Sequence, residues 1–105
     1  GLDMGSPFKS PVYVAAPGVV KFAGWNGKFG KMIEIDHGAG LKTRFGHLNK
    51  ILVKKGQQVN FRDKVGLLGS TGRSTGAHLH YEVIFKGRSM NPLKFFKAGR
   101  YVFQE

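Results

Sequence analysis

The residues best equipped for chemistry are four histidines, His37, His47, His78 and His80. His78-Leu79-His80 is the sharpest pattern, because it opens a segment, 78–85, in which apolar and polar residues alternate as in a β-strand. Side chains two apart on a strand leave the same face, so both imidazoles can reach one point while Leu79 and Tyr81 pack on the other side. Neutral imidazole nitrogen suits zinc at about 2.0–2.1 Å. Glu82 shares that face and can accept a hydrogen bond from a ligating ring. A His-x-His pair also occurs by chance on surface strands, so a metal site requires more donors. The acids that could supply them are few: Asp3, Glu34, Asp36, Asp63, Glu82 and Glu105.

Other chemistries find little support. There is no Cys, which removes thiolate metal sites, thiol nucleophiles and disulfides together. No His-Glu-x-x-His helix occurs, and Gly72-Arg73-Ser74-Thr75-Gly76, though it has the letters Gly-x-Ser-x-Gly, has ordinary turn composition and leads into a strand, not into the helix of a nucleophile elbow. The Gly- and Ser/Thr-rich stretch 69–76 lacks the Gly-Lys-Ser/Thr ending of a phosphate loop and leads into a strand rather than a helix.

The elements that must position these residues are short strands. The chain has 105 residues, one domain's worth, and 16 Gly with 4 Pro interrupt it too often for long helices. Alternation and turn residues predict strands over 11–16, 18–25, 31–37, 41–48, 51–54, 65–69 and 78–85. Turns are expected at 37–40 and 86–87, and one helical turn over 92–98. Strands at this spacing predict a mostly β domain, an antiparallel sheet forming a partly open barrel-like sandwich, with a groove above His47, His78 and His80. Phe22, Trp25, Ile33, Ile35, Leu67, Leu68, Val83 and Phe85 are the expected core. No apolar run is long enough for a membrane span, and residues 1–4 carry no signal-peptide pattern. The formal charge of +11 favours polyanionic partners, nucleic acid, anionic lipid and anionic wall polymer alike. Lys50, Lys54, Lys55 and Lys64 read as a solvated basic face that could meet anionic wall polymer.

The run from Gly69 through His78-Leu79-His80-Tyr81-Glu82-Val83 resembles the core motif of the LytM/lysostaphin-type zinc metallopeptidases. The likeness extends over nearly the whole chain. Gly1-Leu2-Asp3 with Ala16-Pro17-Gly18-Val19-Val20, Trp25-Asn26-Gly27 through Asp36-His37-Gly38, and Phe45-Gly46-His47-Leu48 are similar to successive family blocks. The resemblance implies the duplicated-hybrid-motif fold, a Zn2+ cofactor and endopeptidase action on bacterial peptidoglycan, in the periplasm or elsewhere outside the cytoplasm. It implies that Asp3 and His80 are metal ligands. It also implies that His47 and His78 are the paired non-ligand histidines, one of them the general base. His37 matches no functional position and reads as a turn histidine.

Three departures from the family pattern stand out. The family's first ligand is a histidine four residues before the aspartate, and that position precedes Gly1. Residues 1–105 are therefore expected to be a single domain cut just inside the first ligand motif, binding zinc weakly or not at all. Phe45 replaces a common Tyr, which would remove a hydroxyl near the site, and Ala77 replaces a common Pro. The rival readings are an inactive module that binds the wall or activates another wall hydrolase, and a basic β-barrel that binds nucleic acid. The second needs an exposed aromatic platform, whereas most aromatics here alternate towards the core, so no nucleic-acid partner is expected.

Overall fold

The computed structural model of the protein describes residues 2–5, 9–69 and 78–90, with the backbone alone for 2–5 and 78. Among the described residues, nine strands join in one antiparallel sheet: β1 Leu2–Gly5, β2 Pro11–Tyr13, β3 Gly18–Trp25, β4 Lys31–Gly38, β5 Leu41–Ile51, β6 Gln58–Val59, β7 Lys64–Leu68, β8 His78–Phe85 and β9 Arg88–Met90. A 3₁₀ turn, Gly27–Phe29, links β3 to β4. The sheet runs β1-β8-β5-β4-β3-β6, with β9 on β8 and β7 bridging β5 and β2. It curls into an open half-barrel, as the strand pattern led one to expect. No described helix is long and apolar enough to cross a membrane.

Turn chemistry fixes the register. Ala39 and Gly40 both take positive φ, 53° and 81°, between the paired Gly38 and Leu41. That is the two-residue hairpin turn whose twist matches the flanking strands. Lys86 and Gly87, at 51° and 81°, repeat it between Phe85 and Arg88.

Alternation then separates two faces. Ile33 and Ile35 of β4, Phe45 of β5, and Leu79, Tyr81 and Val83 of β8 are fully buried. The Tyr81 ring tilts against Phe45 with centroids 5.1 Å apart, and burial pushes its phenol well above the ordinary tyrosine range. Phe45 thus belongs to the core, so a hydroxyl missing from its ring is a core difference and does not concern the site. The interleaved residues, Glu34, Lys42, Arg44, His80 and Glu82, are at most partly buried and form the other face.

Several expectations need correction. Ile51 closes β5, and no separate strand covers 51–54. Val53 tucks into the core while Leu52 is 39% exposed, and the chain then turns, Gln57 N–H donating to the Lys54 carbonyl. Trp25 is 62% exposed and not core, because it ends β3 opposite exposed Lys31, beyond the layer that packs on Val20. Phe22, Leu67 and Phe85 are half-buried. Strands β1, β6 and β9 are too short to show a period. The expected helical turn over 92–98, and the 70–77 stretch with Ala77, lie outside the described residues.

Strand β7 approaches β5 so closely that a Cβ on Gly66 would lie 2.8 Å from the Lys50 carbonyl oxygen and 3.2 Å from Leu48 Cδ1. Gly66→Ala should therefore cost about 1–3 kcal/mol in urea unfolding through overpacking. Gly24→Ala, whose Cβ would meet nothing nearer than Phe22 at 3.9 Å, should stay within about 0.5 kcal/mol. Equal midpoints for the two variants would contradict this packing.

Candidate active site

Strand β5 carries the site because it changes partner in mid-course. Leu41 to Gly46 pair with β8, ending at Gly46 opposite His80, and Leu48 onward pairs with β7. His47 lies at the changeover. On the other edge, two steps of β4 from Lys31 to Ile33 face three steps of β5 from Phe45 to Leu48, so β5 holds one extra residue. His47 absorbs it with φ of 62°, a left-handed conformation that costs a non-glycine residue roughly 1–2 kcal/mol. The bulge breaks the alternation. Phe45 and Leu48 both face the core, and the imidazole between them turns to the opposite face, beside His80.

The two imidazoles meet with ring centroids 6.0 Å apart and planes nearly edge to face. His47 is 9% exposed. Phe29, delivered by the 3₁₀ turn, lies 5.2 Å from the His80 ring, and Lys28 and Phe29 complete a hollow of about 140 Å³ with the two histidines. Gly46 makes room for this. A Cβ there would already touch both His80 Cβ and Phe29 Cβ at 3.5 Å, and a longer side chain would fill the space.

A carboxylate lies beside His80. Within β8, Glu82 Oε2 stands 3.2 Å from His80 Nε2. Glu82 Oε1 lies 3.5 Å from Arg44 Nη1, and Arg44 Nε donates to Glu34 Oε1 at 2.7 Å. With Arg44 more than a third exposed, such pairs contribute well under ~1 kcal/mol each to stability. Across the ladder, Asp3 of β1 is the register partner of His80, and Gly5 is the partner of His78.

The sequence-derived residues are therefore brought together in part. His47 and His80 line one hollow, Asp3 stands opposite His80 in the ladder, and His78 is two residues along the same strand. The side chains of Asp3 and His78 lie outside the described residues. Among the described residues no group of three or more His, Asp or Glu could hold a metal ion. Imidazole beside carboxylate is the donor chemistry zinc accepts. His37 is elsewhere, and within β4 rather than in the turn after it. Its Nδ1 donates to the Pro17 carbonyl at 2.7 Å, and its Nε2 is 2.7 Å from the Thr43 hydroxyl, which then donates to it. Both nitrogens are engaged, so the larger hollow of about 450 Å³ that His37 lines offers no free imidazole. Sequence reasoning missed Phe29, Lys28 and Arg44 as neighbours of the site and carried Glu34 only as one of six candidate acids. Gly46 inside a strand pattern was the available signal for the bulge, and the outward register of Arg44 the signal for the ion pairs.

The Peptidase family M23 model matches residues 1–92. The chain belongs to peptidase family M23. An M23 relative, peptidoglycan DD-endopeptidase ShyA of Vibrio cholerae, is 47% identical over 94 residues, which is 90% of this chain and 22% of ShyA. The chain thus spans about a fifth of that relative's length. A zinc containing peptidase from Vibrio cholerae has the same M23 fold, with a TM-score of 0.83 at 43% identity over 86% of this chain and 28% of that one. The catalytic domain of lysostaphin from Staphylococcus simulans gives a TM-score of 0.86 at 30% identity, covering 93% of this chain and 78% of that domain.

A left-handed His47 has a measurable consequence. In an ordinary strand Ala is more stable than Gly, but here His47→Gly should exceed His47→Ala by about 1 kcal/mol in thermal or urea unfolding. The normal order, Ala above Gly, would show that the bulge is not strained as described.

Proposed function

We propose that the protein is a zinc-dependent endopeptidase that hydrolyses peptide bonds of bacterial peptidoglycan, acting in the cell envelope outside the cytoplasm. Asp3 and His80 are read as metal ligands, and His47 and His78 as the catalytic histidines beside them. The observation that carries the reading is the turning of His47 out of the core, across the β5 bulge, onto the face where His80 stands opposite Asp3 in the ladder. The peptidoglycan DD-endopeptidase name of ShyA and the zinc of the related Vibrio cholerae peptidase support the substrate and the metal.

Bound zinc would supply Lewis acidity, polarising the scissile carbonyl and bringing the pKa of water towards ~7. The chain's own residues do the rest. Glu82 Oε2, 3.2 Å from His80 Nε2 in an ion-pair contact, favours the tautomer with its proton on Nε2 and leaves Nδ1 as the nitrogen for the ion. One of His47 and His78 takes a proton from the attacking water and returns it to the leaving amine. Imidazole suits this because its ordinary pKa lies near neutrality. The second histidine donates to the oxyanion of the tetrahedral intermediate. Phe29, packed on the His80 ring, keeps bulk water from one side of the hollow. The third metal ligand is read as a histidine four residues before Asp3, in the longer protein. The exposed Lys50, Lys54, Lys55 and Lys64 support contact with anionic wall polymer.

The test uses the protein extended at its amino terminus through that position. It should bind one zinc per chain and release peptide fragments from purified peptidoglycan. His78→Ala should retain zinc and lose roughly 10²–10⁴-fold in rate, whereas His80→Ala should lose the metal. An extended protein with no upstream histidine, no bound zinc and no action on peptidoglycan would overturn the reading and leave a wall-binding or activating module.

A further inference from the structure

We infer that Arg44 is a positioning residue for His80: braced by Glu34, its guanidinium holds the Glu82 carboxylate against one nitrogen of the imidazole, so that the other nitrogen faces the cation. The inference rests on the reading of His80 as a ligand.

The sheet register makes this arrangement specific. Glu34 of β4 is the direct partner of Arg44 of β5, and Arg44 is the direct partner of Glu82 of β8. Directly opposed residues of antiparallel strands share a face. The three side chains therefore form one row across three strands, acid, base, acid. His80, two residues before Glu82, stands on the same face in the next row, where its partner Gly46 contributes no side chain. The row thus ends at the ring.

The contacts divide the labour between atoms. Arg44 Nε binds Glu34 Oε1 at 2.7 Å, which sets the plane of the guanidinium. Its Nη1 then lies 3.5 Å from Glu82 Oε1, while the other carboxylate oxygen, Oε2, is 3.2 Å from His80 Nε2. Lys42 Nζ lies 4.0 Å from Glu34 Oε2, the oxygen that Arg44 Nε does not use. Two acids on either side of one planar fork are both satisfied at once, which a single ammonium group at position 44 could not achieve. The Glu82 and Glu34 side chains are 17% and 15% exposed, so the row is sheltered where it approaches the ring and open to water only at Arg44, 37% exposed.

A merely structural ion pair would act on stability, and a positioning residue acts on the ring. The first measurement is therefore the tautomer of His80 in the metal-free protein, read from long-range ¹H–¹⁵N correlations at a pH where the imidazoles are neutral. The native chain should hold the proton on Nε2. Arg44→Met and Arg44→Lys should both give a mixture of tautomers with the melting transition retained, since neither can bridge both acids. The second measurement is zinc affinity of the amino-terminally extended protein by chelator competition. Arg44→Met should weaken it ~10-fold, the lower end of the loss seen for partners of metal-ligating histidines. Activity, where present, should fall in kcat with KM unchanged. A native tautomer in Arg44→Met, or full recovery by Arg44→Lys, would overturn the inference. A tautomer that depends on Arg44 in a protein that takes up no zinc would support the positioning and overturn the metal reading alone.

Discussion

One extra residue in β5 governs the site. A regular strand from Leu41 to Ile51 would send the side chain at 47 to the same face as Phe45, into hydrocarbon. The bulge lets the strand change partners, from β8 to β7, at the point where the two diverge, and it turns the imidazole to the outer face as it does so. The left-handed backbone at His47 is the local cost of that turn. It is borne by ladders on either side: Gly46 against His80, and Leu48 against both Lys31 and Leu68.

The same sheet keeps stability and chemistry apart by parity. Three odd-numbered residues of β8, Leu79, Tyr81 and Val83, are held in the core, while His80 and Glu82 on the other side make polar contacts that add little to folding. Substitution on the outer face can therefore change the site at small cost to the fold. The fold depends instead on inner residues such as Ile33, Ile35 and Phe45. Trp25 and Phe61 are exposed large apolar residues outside both layers.

Much of this could be read from the sequence, and the limits have physical causes. Strands 18–25 and 78–85 were legible to the residue, since each is long enough to show its period and is bounded by turn signals. The turn at 86–87 was legible from Gly87, which permits positive φ. Residues 51–54 misled because four apolar and basic residues can end one strand as readily as form another. Trp25 misled because alternation gives the face of a side chain but not whether a second layer covers it. That His78 and His80 share one strand was legible from alternation, whereas the meeting of His47 with His80 came only through family resemblance. Simple alternation would have put His47 on the wrong face, and Gly46 was the sole hint of the bulge. The row Glu34–Arg44–Glu82 depends on cross-strand register, which no local pattern reveals.

The most direct test of the central claim is a crystal of the amino-terminally extended protein measured at the zinc absorption edge. The account predicts one anomalous peak in the hollow beside Phe29, with His80 Nδ1 and the Asp3 carboxylate at about 2.0–2.2 Å from it. The His47 ring should face it without ligating. A peak at His37, a peak bonded to His47 in place of His80, or no peak in zinc-saturated crystals would contradict it.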